Sequence, residues 1–286
     1  MTDLHLVRLP LNLRTFTAWA LNHRYLDTPP GDGRGRPRDT EMGYALHAAL
    51  TGLFGVQSPR PFAISPAGRR ERRSAVTESE SRSGMLDLLG YTHAPLETLR
   101  SLAQLADDKL CATIKWEKAR SKPMPSRWPK HLRLRFDLRA CPVRRIMKPV
   151  TTRERPNLMA TTICKGREID AFQVAAARAQ PHSEPITRDR VYIEWLAERL
   201  APQPERPQAV ALVPNSVRVK AYRSVRLLRR PRGANGRRSP QWLTRPDVRF
   251  TGLLDITVPD IFPELLASGV GRHCGFGFGM LLLKPA

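Results

Sequence analysis

The stretch SGVGRHCGFGFGMLLLKPA, residues 268–286, decides how this chain is read. Five glycines, Gly269, Gly271, Gly275, Gly277 and Gly279, fall within eleven residues, with Arg272 and His273 among them. Glycine has no Cβ, so this density lets the backbone take positive φ and lets a second backbone, a phosphodiester chain included, come close. The preceding DIFPELLAS, residues 260–268, spaces Ile261, Leu265 and Leu266 as a helix does, and an apolar run over 280–283 follows the loop. The predicted order is helix, glycine loop, buried strand. A dinucleotide-binding fingerprint runs strand, loop, helix and spaces its glycines G-x-G-x-x-G. Here the spacing is G-x-G-x-x-x-G and the helix comes first, so that reading fails. A glycine-rich turn that holds no ligand is the plainer alternative, and at this point it stays open.

Composition narrows the partner. The 286 residues suffice for one large domain or two ordinary ones, with length enough for a core. The formal net charge is +22, and the pI of about 11.1 lies well above the ~9 that points to a nucleic-acid partner. Such an excess repels itself unless it is spread out or met by a polyanion. No basic amphipathic helix with bulky anchors stands out, and no apolar run nears the ~20 residues of a spanning helix, so no membrane partner is expected. The opening MTDLHLVRLPLN lacks a secretory apolar region. Cys111, Cys141, Cys164 and Cys274 are scattered without a C-x-x-C, which argues against a zinc site and against a disulfide framework. A reducing cytoplasm is the expected compartment.

Taken in order, HLVRLPLNL over 5–13 alternates as a first strand, and 14–26 fits a short helix. A Pro/Gly/Arg loop follows over 29–40. In the helix expected over 41–54, with Thr40 as N-cap, Leu46, Ala49, Leu50 and Leu53 share one face, while Tyr44 and His47, three apart, share a neighbouring one. Strands are expected over 61–64, 85–91 and 111–116, a helix over 96–105, and a charged, serine-rich loop over 69–83. This is the β-α-β-β-α-β order of a ferredoxin-like unit.

The order repeats beyond a turn-rich linker over 121–130. Residues 131–138 alternate, with Leu132, Leu134, Phe136 and Leu138 on one face and Arg133, Arg135 and Asp137 on the other. Helices are expected over 168–179 and 187–200, strands over 217–228 and 248–258, the last helix over 260–268 and the last strand over 278–283. The predicted fold class is therefore α+β: tandem ferredoxin-like (RRM-like) domains over 1–122 and 123–286, the second with an added helix.

The strongest charge feature is VRVKAYRSVRLLRRPRGANGRR. It carries Arg218, Lys220, Arg223, Arg226, Arg229, Arg230, Arg232, Arg237 and Arg238, and no acid. The spacing up to Leu228 suits a strand and PRGANG supplies a turn, so a basic hairpin is expected. Arginines on such a ribbon can bind phosphates and guanines in bidentate fashion. A charge run is usually a solvated face, but this one offers no acid of its own to pair with, which favours a nucleic acid. Trp242, just beyond it, is a candidate for stacking on a base.

The glycine-rich C-terminus GVGRHCGFGFGMLLLKPA resembles the signature loop of the repeat-associated mysterious protein superfamily of CRISPR systems. YALHAALTGLF, residues 44–54, resembles the first helix of its CasE-type members, the type I-E repeat endoribonucleases. LRLRFDLRACPVRRI, residues 132–146, resembles the strand opening their second domain, and VRFTGLLDITV, residues 248–258, their penultimate strand. The resemblance runs from Leu46 to the C-terminus in the same order. It departs in two places: the insertion over 14–40 and the loop over 69–83 are longer than in such proteins. What it implies is a tandem ferredoxin-like subunit of the Cascade complex. Such a protein cuts precursor CRISPR RNA within each repeat and stays bound to the 3′ stem-loop beside the backbone and crRNA-end proteins.

RNA brings its own nucleophile, the 2′-hydroxyl beside the scissile phosphate. A protein need only align it, take its proton and protonate the leaving 5′-oxygen, for which histidine is suited near neutral pH. The resemblance places this role on His47, with Tyr44 as hydroxyl donor or orienter. Gly269, Gly271, Arg272, His273, Gly275 and Gly277 of the loop are expected to contact RNA, together with the basic hairpin. No metal and no other cofactor is expected, since no carboxylate cluster is available to hold one. Two rivals remain: a binding module of the same fold without catalysis, and a general RNA-binding protein.

Overall fold

The computed structural model describes residues 3–26, 39–66, 84–151, 162–179, 185–202, 207–229 and 241–286. The basic loop over 29–40, apart from its last two residues, and the loop over 69–83 lie outside these. In β1 (His5–Asn12) Val7, Leu9 and Leu11 face the core while Arg8 is exposed, as alternation requires. Asn12 then starts α1 (Leu13–Asn22), its side-chain oxygen accepting from the Arg14 and Thr15 N–H groups at 3.1 and 3.2 Å. The helix stops earlier than the periodicity over 14–26 suggests. Arg24 takes φ 55° and donates its N–H to the Leu21 carbonyl while Tyr25 donates to Ala20, a Schellman turn. The next helix, α2 (Asp39–Phe54), starts before Thr40, so Thr40 lies within it and is not its cap. It packs Leu46, Ala49, Leu50 and Leu53 into the first core, as their spacing predicts.

β2 (Phe62–Pro66), β3 (Met85–Thr92), α3 (Leu96–Ala106), α4 (Asp108–Cys111) and β4 (Arg120–Pro123) complete the first unit. Its antiparallel sheet has the order β2-β3-β1-β4. The strand expected over 111–116 does not form. Asp107 caps α4 by accepting the Leu110 N–H at 3.0 Å, which turns Leu110 into the core, and Ile114 makes only an isolated bridge to Leu11. The fourth strand is instead RSKP, in the stretch that reads as linker. It pairs with β1 alone, from Arg8↔Arg120 to His5↔Pro123. An edge strand needs no alternating apolar face, so nothing in its composition announces it.

The second sheet grows on β5 (Arg133–Ala140), where Leu134, Phe136, Leu138 and Ala140 are buried and Arg133 and Arg135 exposed. A short ladder joins β6 (Val143–Arg145) to β9 (Glu168–Asp170), and a second joins β7 (Val150–Thr151) to β8 (Thr162–Ile163). The helix expected from Glu168 therefore begins later, as α5 (Ala171–Arg178). Asp170 caps it, accepting the Phe172 N–H at 2.8 Å. α6 (Arg188–Leu200), β10 (Val210–Leu212), β11 (Arg218–Arg229), β12 (Gln241–Ile256), α7 (Phe262–Ser268) and β13 (Leu281–Pro285) follow. β12 pairs with β5, and β13 lies on the other side of β5. β10 and β11 share the outer edge of β12. The path β10-β12-β5-β13 thus repeats the order of the first sheet, with an interrupted second strand. The chain is α+β with two ferredoxin-like units in tandem.

The units are packed into each other. Leu4 and Tyr91 of the first belong to the core built by Phe136, Trp195, Phe250 and Leu281 of the second. The Tyr91 hydroxyl donates to the Leu281 carbonyl across this seam at 2.8 Å, and burial raises its pKa.

Candidate active site

α7 ends where Gly269 takes φ 73° and donates its N–H to the Leu265 carbonyl. The loop then folds back on itself, the Val270 N–H meeting the Gly279 carbonyl at 2.8 Å before β13 begins. Gly279 shows why the glycines are needed. At φ 79° a Cβ there would lie 2.8 Å from the Val270 carbonyl oxygen and would strike Cys274 Sγ. Much of the glycine content is therefore used inside the protein. Gly269 and Gly277 are buried, which places both behind the surface that the sequence assigns to RNA. Gly271 lies over the Trp195 ring. Arg272, His273 and Gly275 face a cleft.

The far side of this loop rests on α2. Phe276, in the turn of 3₁₀ helix Cys274–Phe276, brings its carbonyl so close to Gly43 that a Cβ on that residue would be 2.6 Å from the oxygen. Its ring stacks on Tyr44, centroids 6.2 Å apart and planes 9° apart, and reaches His47 at 4.9 Å. Tyr25 meets Tyr44 edge-on from behind at 5.9 Å. Tyr44 is only 8 % exposed and does not line the cleft. Its ring is packed between Phe276 and Tyr25 rather than open to the cleft. Gly43→Ala tests this seam. In a free helix alanine is favoured by about 1 kcal/mol, but here it collides with backbone, so a net loss of about 1–3 kcal/mol is expected in denaturant unfolding.

His47 is half-buried, and its pKa is lowered by burial and by the Arg60 guanidinium. It faces a cleft of about 410 Å³ bounded by Arg60, Arg272, His273, Gly275, Phe276, Glu168 and the leucines Leu227, Leu228 and Leu243. Glu168 organises the opposite wall, with Arg272 Nη1 at 2.5 Å, Arg245 Nη2 at 3.6 Å and His273 Nε2 at 3.6 Å. Imidazole, guanidinium and carboxylate groups thus meet in one place, drawn from α2, the segment before β2, β9 and the glycine loop. Such a set can accept a proton and stabilise charge on a phosphate.

The two strands of the expected basic hairpin pair, Arg218↔Thr251 through Arg229↔Gln241, and β11 reaches the cleft at Leu227 and Leu228, while the turn expected over 231–236 lies outside the described residues. Arg218, Lys220 and Arg223 are exposed. The ribbon does have an acid to pair with, and it comes from the facing strand. Arg223 lies opposite Asp247 in the register, and its Nε is 2.9 Å from Asp247 Oδ2. The Arg226 guanidinium sits 5.6 Å from the centre of the Trp242 ring, the ring the sequence offers for stacking. Arg229 ends the strand, and Arg230, Arg232, Arg237 and Arg238 lie outside the described residues.

Arg60, Arg245, Glu168 and Phe276 escape a reading of the sequence. Arg60, thirteen residues beyond His47, and the far more distant Glu168 and Arg245 are single charges without a motif, and only folding brings them near the loop. Phe276 did have a signal, an aromatic residue in the middle of a glycine run. All four cysteines are free, and among the described residues no three His, Cys, Asp or Glu side chains group as metal ligands. No helix among those residues is long and apolar enough to cross a membrane.

The family model described as CRISPR associated protein matches residues 4–285. Among solved structures, the chain is similar to the CRISPR endoribonuclease Cse3 bound to a 19-nucleotide RNA, at 17% identity and TM-score 0.56, covering 99% of this chain and 100% of that one. It is also similar to Thermus thermophilus Cse3 bound to an RNA representing a pre-cleavage complex, at 16% identity and TM-score 0.53, with 99% and 100% covered. At these identities the likeness establishes the fold. No curated protein matches the chain by sequence.

Proposed function

Matched over residues 4–285, the chain belongs to the CRISPR associated protein family, and from that membership we propose that it is a metal-independent endoribonuclease that cuts precursor CRISPR RNA within its repeats. The observation that carries this reading is the meeting of His47 with Arg60, Arg272 and His273 in one cleft, at the end of the arginine-bearing β11. The two units clasp the repeat hairpin between them, with the ribbon holding its phosphates.

His47, neutral at pH 7 because burial and Arg60 oppose its protonation, takes the proton from the 2′-hydroxyl. The 2′-oxygen attacks the adjacent phosphorus, the P–O5′ bond breaks, and the 5′-oxygen leaves with a proton taken from solvent, to which the His47 imidazolium returns its own. The products are a 2′,3′-cyclic phosphate and a 5′-hydroxyl. Arg272 and His273 contact the scissile phosphate, and the amides around Gly271 and Gly275 offset its developing charge. Tyr44 acts through Phe276, holding the imidazole against the loop. The protein then stays on the 3′ stem-loop as a Cascade subunit in the cytoplasm. The likeness to the RNA-bound Cse3 structures, whose fold the chain shares, supports this reading.

A labelled cognate repeat incubated with the protein in chelator tests it. Cleavage that a single 2′-deoxy substitution at the cut site abolishes is the expected result. Tight binding without a cut would make the chain an inactive RNA-binding subunit instead, and equal affinity for any structured RNA would remove the CRISPR repeat as its substrate.

A further inference from the structure

Tyr222 is the exposed aromatic of the basic ribbon, with 52 % of its surface accessible. A lone exposed tyrosine needs no explanation, but this one is braced. The Arg188 guanidinium from α6 is sandwiched, 4.1 Å from the centre of the Phe172 ring and 5.0 Å from that of Tyr222. Arg188 is itself held by the Tyr192 hydroxyl at 3.3 Å and the Asp170 carboxylate at 3.6 Å. Tyr192 donates to both Asp170 oxygens, at 3.1 and 3.0 Å, and meets the Tyr222 ring edge-on at 6.3 Å. The ring is thus fixed from the helix side and open to solvent elsewhere, on a strand whose Arg218, Lys220 and Arg223 are exposed.

We propose that Tyr222 is a stacking platform for an unpaired RNA base. Stacking on an aromatic needs a base whose face is free, which a base inside a duplex does not offer, so the ligand is a single-stranded nucleotide. The cation behind the ring fixes it before the base arrives, and the surrounding cations suit the phosphates on either side of that nucleotide. Tyr222 precedes Leu227, which lines the cleft, by five residues, about 17 Å of strand. The nucleotide it takes is therefore distinct from the one whose phosphate is cut, in the strand flanking the hairpin. This rests on the RNA-binding part of the proposed function but not on cleavage.

The test is binding of the full chain to an unstructured RNA carrying 2-aminopurine, at several salt concentrations. The wild type is expected to bind and quench the fluorophore. Tyr222→Ala is expected to lose the quench and about 5- to 100-fold in affinity while keeping the salt slope, since no charge is removed. Tyr222→Phe should keep both. A wild type that does not bind single-stranded RNA overturns the proposal, even if it cuts a repeat hairpin. So does a Tyr222→Ala protein that binds and quenches like the wild type, which would leave the exposed ring to a protein partner. Quenching that disappears with Tyr222 in a protein that cuts nothing would sustain the platform and sink only the nuclease reading.

Discussion

Replacing His47 by alanine is expected to slow repeat cleavage by at least ~10²-fold while leaving repeat affinity close to that of the wild type. A positioned proton-transfer group contributes about 10²–10⁴-fold, whereas the grip on the RNA comes from the ribbon and the arginines of the cleft. The imidazole lines the cleft rather than anchoring the fold, so the variant should stay folded. A wild-type cleavage rate in this variant would rule out His47 as the proton acceptor.

The same residue sets a pH dependence. Burial first, and Arg60 second, hold the His47 pKa below its ordinary 6.5. As a base it works when neutral, so the acid limb of the cleavage rate should have its midpoint below 6.5. The sign for stability follows. The unfolded chain binds this proton more readily than the folded one, so folding loses stability as pH falls from 6.5 through the folded pKa. A cleavage midpoint at or above 6.5 would contradict the base role.

The second large effect lies in the scaffold. Asp247 is 3 % exposed and receives Arg139 in bidentate geometry, Nε to Oδ1 at 2.8 Å and Nη2 to Oδ2 at 2.9 Å, with Arg223 as a third donor. Arg139 also lies over the Phe278 ring at 4.5 Å, and its carbonyl accepts the Gly279 N–H at 2.7 Å. One carboxylate therefore ties β5, β11 and β12 together and, through Arg139, the end of the glycine loop. Asp247→Ala leaves the largely buried Arg139 cation uncompensated, which typically costs 3–5 kcal/mol. Urea unfolding should show that loss at an unchanged slope. Burial alone would raise the Asp247 pKa, but Arg139 and Arg223 outweigh it and hold it below the usual carboxylate range. Its contribution is thus present above the ordinary carboxylate pKa and lost as pH falls through the lower, folded value. Arg133 and Asp255 form an equally bidentate pair at 2.8 Å, but on the surface. Asp255→Ala should change stability far less, because water already solvates both ions.

What the sequence determined by itself was whatever repeats locally. The alternation of β1 and β5, the apolar stripe of α2 and the helix–loop–strand order around the glycines follow from side-chain periods of two and 3.6 and from glycine's missing Cβ, so two ferredoxin-like units could be read from one chain. The polar edge strand at Arg120–Pro123 carried no such period, and a strand was expected instead over 111–116. His47 was reached through resemblance, since a histidine on a helix has no period of its own. Only the tertiary structure decided that the glycine loop closes through Phe276 on Gly43 and Tyr44 beside that imidazole, that Arg60 and Glu168 share its cleft, and that Asp247 answers the ribbon's Arg223. Those are contacts between residues far apart in the chain, created by a packed seam between two cores, and no local pattern encodes them.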